Sequence, residues 1–161
     1  MRVVLVRHGE AVDSRVASSD QDRWLTDDGR RTVHAVGKTL ARMDLRFTQV
    51  LTSPLLRAVQ TAEILTTAQT GFDGPVTVHR ALASEEGTTA QALEPLDEAL
   101  DDDLIVMVTH MPKVGMIAAQ LSGLGHPPAF STSSACLVEI DAGKGRARWM
   151  LDPTSLELHR F

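Results

Sequence analysis

Leu104-Ile105-Val106-Met107-Val108-Thr109, followed at once by His110-Met111-Pro112, is the stretch on which the fold turns. The run is apolar without alternation and rich in β-branched residues, so it predicts a strand buried on both faces. Pro112 then opens a predicted helix reaching about Ser122, since proline suits a first helical turn. Residues 2–6 (Arg-Val-Val-Leu-Val) form a second run of the same kind. Phe47 to Thr52 predicts another strand, and Val76 to His79 a short one. Between them lie two helical patterns. Thr26 is placed to cap a helix over 27–43, where Val33, Val36, Leu40 and Met43 recur at three- and four-residue spacing. Ser53-Pro54 signals a helix start, with the Ser53 side-chain oxygen as cap, and that helix is predicted to run to about Gln69. Residues 88–100 predict one more helix, interrupted by Pro95. Cys136–Ile140 and Arg146–Leu151 flank Asp141-Ala142-Gly143-Lys144-Gly145, the pattern of a closing hairpin. Strands that alternate with helices predict an α/β fold: a mostly parallel central sheet, helices on both faces, and a C-terminal antiparallel hairpin.

The chain has 161 residues, the size of one domain, and neither a repeat nor a linker divides it, so 1–161 is read as a single domain. Its composition is 43% hydrophobic and 23% charged, which is ordinary for a globular protein and excludes collagen-like and disordered classes. No apolar run approaches the roughly 20 residues that span a bilayer. The N-terminal run turns polar at Arg7, too early for a signal peptide. Cys136 is the only cysteine and has no internal partner, which favours a reducing, cytoplasmic location. The net charge of −5 argues against a nucleic-acid partner, so any anion must be caught by a local cluster.

Such a cluster is legible. Ligands of open α/β sheets bind beyond the carboxyl ends of the strands. Arg7-His8-Gly9-Glu10 follows the first strand, Ser53-Pro54-Leu55-Leu56-Arg57 the second, and His110 the Leu104–Thr109 strand. Two arginines and two histidines thus arrive at one rim, joined by helix N-termini that favour anions. Taken singly, each has a plainer reading: a solvated loop, an arginine in a first helical turn, a hydrogen-bonded turn histidine. Their coincidence at equivalent strand ends points to one phosphate-sized ligand.

These residues also carry a resemblance. Arg7-His8-Gly9-Glu10, Ser53-Pro54-Leu55-Leu56-Arg57-Ala58-Val59-Gln60-Thr61-Ala62 and Val108-Thr109-His110-Met111-Pro112 are similar to the three ordered motifs of the histidine phosphatase superfamily, the phosphoglycerate-mutase-like proteins. The length, Leu25-Thr26-Asp27-Asp28-Gly29 and the late Pro127-Pro128-Ala129-Phe130-Ser131-Thr132-Ser133 segment resemble its short SixA-type phosphohistidine phosphatases. The resemblance implies that His8 is the nucleophile that becomes phosphorylated, that Arg7 and Arg57 hold phosphate oxygens, and that His110 completes the pocket. Larger members carry a proton-donating acid. Here Glu85 and Glu86 are the candidates, against the reading of a solvated acidic turn, and Glu10 is placed at the pocket mouth.

The chemistry suits the residues. A neutral imidazole attacks phosphorus without a separate base, and nearby arginines disfavour its protonation. Arginine forks grip two phosphate oxygens at once, so no metal or other cofactor is called for. The remaining histidines, His34, His79, His126 and His159, show no zinc-binding spacing. An alkoxide leaving group wants a proton from an acid, whereas imidazole leaves neutral when its other nitrogen is protonated. A short chain without a secure acid therefore favours a phosphohistidine on a protein, such as a phosphotransfer domain or a phosphocarrier, as substrate and partner, with inorganic phosphate as product. The alternatives are a phosphatase of small monoesters using Glu85 or Glu86, and a phosphoprotein-binding module without turnover.

Overall fold

The computed structural model describes residues 1–161. Seven strands form one sheet: β1 (Arg2–Arg7), β2 (Gln49–Thr52), β3 (Val76–Val78), β4 (Leu104–Thr109), β5 (Ala135–Asp141), β6 (Lys144–Leu151) and β7 (Leu158–Arg160). Their order is β3-β2-β4-β1-β5-β6-β7. The β3-β2-β4-β1 half is parallel, and β5, β6 and β7 add antiparallel. The helices are α1 (Asp27–Arg42), α2 (Leu56–Ala68), α3 (Thr89–Leu93) and α4 (Lys113–Ser122). The expected α/β architecture is the one found, with an antiparallel edge one strand wider than the predicted hairpin.

Alternate residues of each inner strand feed opposite cores. Val4, Val6, Val50, Leu104, Val106 and Val108 pack against α1 and α2, joined by Val33, Val36, Leu40, Ala58, Ala62 and Leu65. Val3, Leu5, Leu51, Ile105 and Met107 face the other way, against Ala92 of α3 and Val114, Ile117 and Ala118 of α4. β4 is buried at all six positions, which is why its sequence reads as an unbroken apolar run.

Several local expectations are corrected. Thr26 does cap α1, accepting from the Gly29 N–H at 2.9 Å. Ser53 does not cap α2. The helix begins at Leu56, after two further residues, and its first N–H donates instead to the Gln21 carbonyl at 3.2 Å. The helix predicted over 88–100 is α3 followed by a 3-10 segment from Glu94 to Glu98, because Pro95 has no N–H to continue α-helical bonding. The β5–β6 connection is tighter than the five residues predicted. Ala142 and Gly143 alone make the turn, both with left-handed backbone (φ 46° and 73°), as a two-residue hairpin requires.

Between β1 and β4 the connections diverge. The chain leaving β1 runs by α1 to β2, and the chain leaving β4 runs by α4 over the opposite face to β5. Such a divergence opens a crevice at the carboxyl ends of the two strands. α1 closes tightly on the loop after β1: a Cβ at Gly29 would overlap the Glu10 carbonyl oxygen, and one at Gly9 would lie 2.7 Å from Val33. Alanine ordinarily stabilises a helix interior relative to glycine by about 1 kcal/mol. Here Gly29→Ala is expected to reverse that sign, lowering the unfolding free energy by about 2 kcal/mol through overpacking. Urea denaturation of the two proteins measures it.

Candidate active site

Four side chains from three strand ends meet at that crevice. Arg7 ends β1, His8 follows it, Arg57 lies in the first turn of α2, and His110 follows β4; all four line one cavity of about 270 Å³. Glu10 lies on the same wall, exposed, with its carboxylate accepting from the Thr26 hydroxyl at 2.9 Å.

The backbone fixes each of them. The His8 N–H donates to the Thr109 carbonyl and the Ser53 N–H to the Val108 carbonyl, both at 3.0 Å, so β1 and β2 remain clamped to β4 just beyond their ends. The Ser133 N–H lies 3.1 Å from both the Arg7 and His8 carbonyls. Ser133 is buried with φ 68°, a left-handed conformation unusual for a residue with a side chain. Through Phe130 the same segment supplies the carbonyl that accepts from Arg7 Nη1 at 2.8 Å. The Pro127–Ser133 stretch is thus the back wall of the site. Opposite it, the Lys113 ammonium donates to the carbonyls of Ala81 (2.7 Å), Ala83 (2.6 Å), Glu86 and Gly87, holding the loop that brings Ser84 to the cavity.

The two imidazoles lie with ring centroids 4.8 Å apart. His8 Nδ1 is 2.7 Å from the Gly9 carbonyl oxygen, which can only accept. Nδ1 therefore carries the proton, and Nε2 keeps its lone pair. Burial pushes the His8 imidazole down to about 4, with the charges of Arg57, Arg7 and Arg23 adding to it and the Gly9 hydrogen bond opposing it. His110 Nε2 is 2.7 Å from Ser53 Oγ, which also accepts from the Leu55 N–H at 3.3 Å, one residue short of α2. Burial, then the neighbouring His8 and Arg57, push His110 down to about 3. Burial also lowers Arg7 from its ordinary value.

Most informative are the nitrogens without partners. Arg7 Nε, Arg57 Nε and His110 Nδ1 are buried and make no hydrogen bond within the protein; of all buried side-chain nitrogens and oxygens, only Gln69 Nε2 shares that state. A buried polar group left unpaired costs about 1–3 kcal/mol. These three atoms belong to residues from separate segments that line one cavity.

The sequence reading missed Arg23, which lines the cavity and anchors its Nε on the Val12 carbonyl at 2.6 Å. It sits in an irregular segment where no strand end announces a position. Thr61, which accepts from the Gly9 N–H at 3.0 Å and donates to the Arg57 carbonyl at 2.7 Å, was visible only as the fourth residue after Arg57. The acid candidates Glu85 and Glu86 do not reach the cavity. The Glu86 carboxylate pairs with Arg80 at 2.9 Å, and Glu85 faces the neighbouring cleft.

Comparison with known proteins agrees with this architecture. The model of the histidine phosphatase superfamily (branch 1) matches residues 3–85. Phosphohistidine phosphatase SixA of Escherichia coli is 29% identical over 161 residues, covering 98% of each chain. An uncharacterized protein of Picosynechococcus sp. is 39% identical over 115 residues, 71% of this chain and 69% of its own. The structure of the protein histidine phosphatase SixA complexed with tungstate superposes with a TM-score of 0.88 at 29% identity, covering 98% of this chain and 100% of that one. A phosphoserine phosphatase of Entamoeba histolytica shares the fold, with a TM-score of 0.73 at 16% identity, covering 97% of this chain and 99% of that one.

The depressed imidazoles make stability depend on pH. Below the unfolded value of 6.5, the unfolded chain binds protons that native His8 refuses until about pH 4. Stability is therefore expected to fall as pH drops through that window, by up to about 3 kcal/mol for His8 alone. Denaturant melts at stepped pH measure the slope, which His8→Asn should flatten.

Proposed function

We propose, from the premise that this chain belongs to the histidine phosphatase superfamily and is a phosphatase, that it removes the phosphoryl group from a phosphorylated histidine on a protein. The reading assigns His8 as nucleophile, Arg7 and Arg57 as phosphate ligands and His110 as a further donor, with no metal. The observation that carries it is the convergence of Arg7, Arg57 and His110 on one cavity, beside a histidine whose Nδ1 is engaged by the Gly9 carbonyl and whose Nε2 is left for the phosphoryl group.

The steps balance as follows. His8 Nε2 attacks phosphorus, and the P–N bond of the substrate breaks with its electron pair going to the departing imidazole. That imidazole leaves neutral when its other nitrogen already holds a proton. His8, now bonded through Nε2, carries positive charge, which its Nδ1–H shares with the Gly9 carbonyl. Water then attacks phosphorus, phosphate departs, and His8 regains its lone pair. Arginine N–H groups match the equatorial oxygens throughout, the positioning and charge neutralisation that phosphoryl transfer needs.

Substrate choice rests on the missing acid. An alkoxide needs a proton as it leaves, yet Glu85 and Glu86 lie outside the cavity, Glu10 on its wall is exposed and tied to the Thr26 hydroxyl, and Asp20 is held below the usual carboxylate range, first by the Arg23 hydrogen bond and then by Arg57. Phosphohistidine makes no such demand. The likeness to a protein named phosphohistidine phosphatase over the whole chain supports the same choice. A phosphotransfer domain or phosphocarrier in the cytoplasm is the partner this reading implies. No helix is long and apolar enough to cross a membrane.

His8→Ala is expected to abolish turnover. Arg57→Ala should cost about a hundredfold in kcat, the usual loss of one preorganised donor. Glu85→Gln and Glu86→Gln should change phosphohistidine turnover less than twofold. Alkaline quench during turnover should trap label on wild-type chain and none on His8→Ala. Faster cleavage of small monoesters than of a histidine-phosphorylated protein would overturn the substrate assignment.

A further inference from the structure

Arg57 is almost fully buried, yet both of its terminal nitrogens are claimed by one residue of an exposed segment. Nη1 donates to the Asp20 backbone carbonyl at 2.7 Å and Nη2 to the Asp20 carboxylate at 3.0 Å. The other carboxylate oxygen takes Arg23 Nη1 at 2.9 Å. Asp20 is the only carboxylate paired with any arginine of the cavity. It does not line that cavity. It faces the neighbouring cleft of about 580 Å³, on the far side of the shared residue Ser84. The carboxylate thus reaches the guanidinium from outside the anion site, leaving the buried Arg57 Nε free.

Resting on the phosphatase reading above, we infer that Asp20 is a positioning residue for phosphoryl transfer, its carboxylate bridging Arg23 and Arg57 so that both guanidiniums are aimed and braced at the cavity wall. Two of the five N–H donors of Arg57 are fixed on Asp20, which sets the plane of the fork at the cavity wall. The next residue braces the same joint, since the Gln21 carbonyl takes the first N–H of α2. Arg7, Arg23 and Arg57 outnumber the carboxylates near them, Asp20 and Glu10, so the cavity keeps a net positive charge suited to an anion. Asp20 is 56% exposed, and the buried Arg57 keeps the Asp20 backbone carbonyl when the carboxylate is removed, so little stability rests on the ion pair itself. What the bridge offers is therefore geometry at the site.

The test uses the full chain with Asp20→Ala and Asp20→Asn, inorganic phosphate as the binding probe in calorimetry, and a histidine-phosphorylated protein for turnover. Asp20→Ala should lose on the order of 100-fold in kcat/KM, mostly in kcat, as expected when a catalytic group is misplaced by about 1 Å. Phosphate affinity should fall about tenfold, with the melting temperature within about 3 °C of wild type. Asp20→Asn keeps one oxygen acceptor and should recover part of both losses. Wild-type phosphate affinity and kcat in Asp20→Ala would overturn the inference. So would an Asp20→Asn protein as inactive as Asp20→Ala but with phosphate binding intact, since that marks a proton donor. If the wild type binds phosphate yet leaves phosphohistidine untouched, the substrate reading fails alone, and the calorimetric comparison still decides the role of Asp20.

Discussion

Guanidinium and imidazole nitrogens held out of water, without an acceptor for each, are the constraint on which the rest of this structure depends. Arg7 Nε, Arg57 Nε and His110 Nδ1 each carry a penalty of about 1–3 kcal/mol, against a net stability of about 5–15 kcal/mol for an ordinary domain. Only a rigid surround keeps such a site from collapsing onto itself or admitting a side chain as substitute. The two apolar clusters on either face of the sheet supply that rigidity, and the strands between them cannot shift without disturbing both. Preorganisation of this kind is stored in the fold and released when charge arrives.

The sheet order explains why these residues and no others meet. β4 lies between β1 and β2, so residues separated by more than fifty positions end side by side. The parallel pairing aligns Arg7 with Thr109 and Thr52 with Val108, and the residues that follow, His8, Ser53 and His110, enter one crevice. The antiparallel half has a different task. Before β5 begins, the chain folds under the first motif, and the left-handed backbone at Ser133 lets a single N–H serve the carbonyls of Arg7 and His8. A strained residue at that point is offset by the fixed course it gives the backbone of Arg7 and His8.

The buried strands were legible because their neighbours leave no face for polar residues; β1 and β4 read straight from Arg2–Val6 and Leu104–Thr109. The strand-end positions of Arg7, His8, Arg57 and His110 were legible for the same reason. Ser53 misled because its Oγ does accept a backbone N–H, that of Leu55, but α2 begins one residue later, and the hydroxyl also meets His110 arriving from β4, a contact no local pattern announces. β7 went unseen because Leu158–Arg160 is exposed and lacks alternation, its register coming from β6 alone. Arg23 and Asp20 were invisible because irregular segments have no period; their places follow from contacts with Val12 and Arg57.

The two cavity histidines share burial, neighbours and a depressed affinity for protons, yet their anchors separate their roles. His8 rests on a carbonyl, which accepts and never donates, so its tautomer is fixed whatever the cavity holds. His110 rests on a hydroxyl, which both accepts and donates, so its unpartnered Nδ1 is free to gain or lose a proton as Ser53 turns. One buried site thereby holds an imidazole of fixed tautomer and another whose protonation can adapt, distinguished by the chemistry of the atom behind each ring. Under the phosphatase reading proposed above, the first suits a nucleophile and the second a donor to the phosphoryl oxygens.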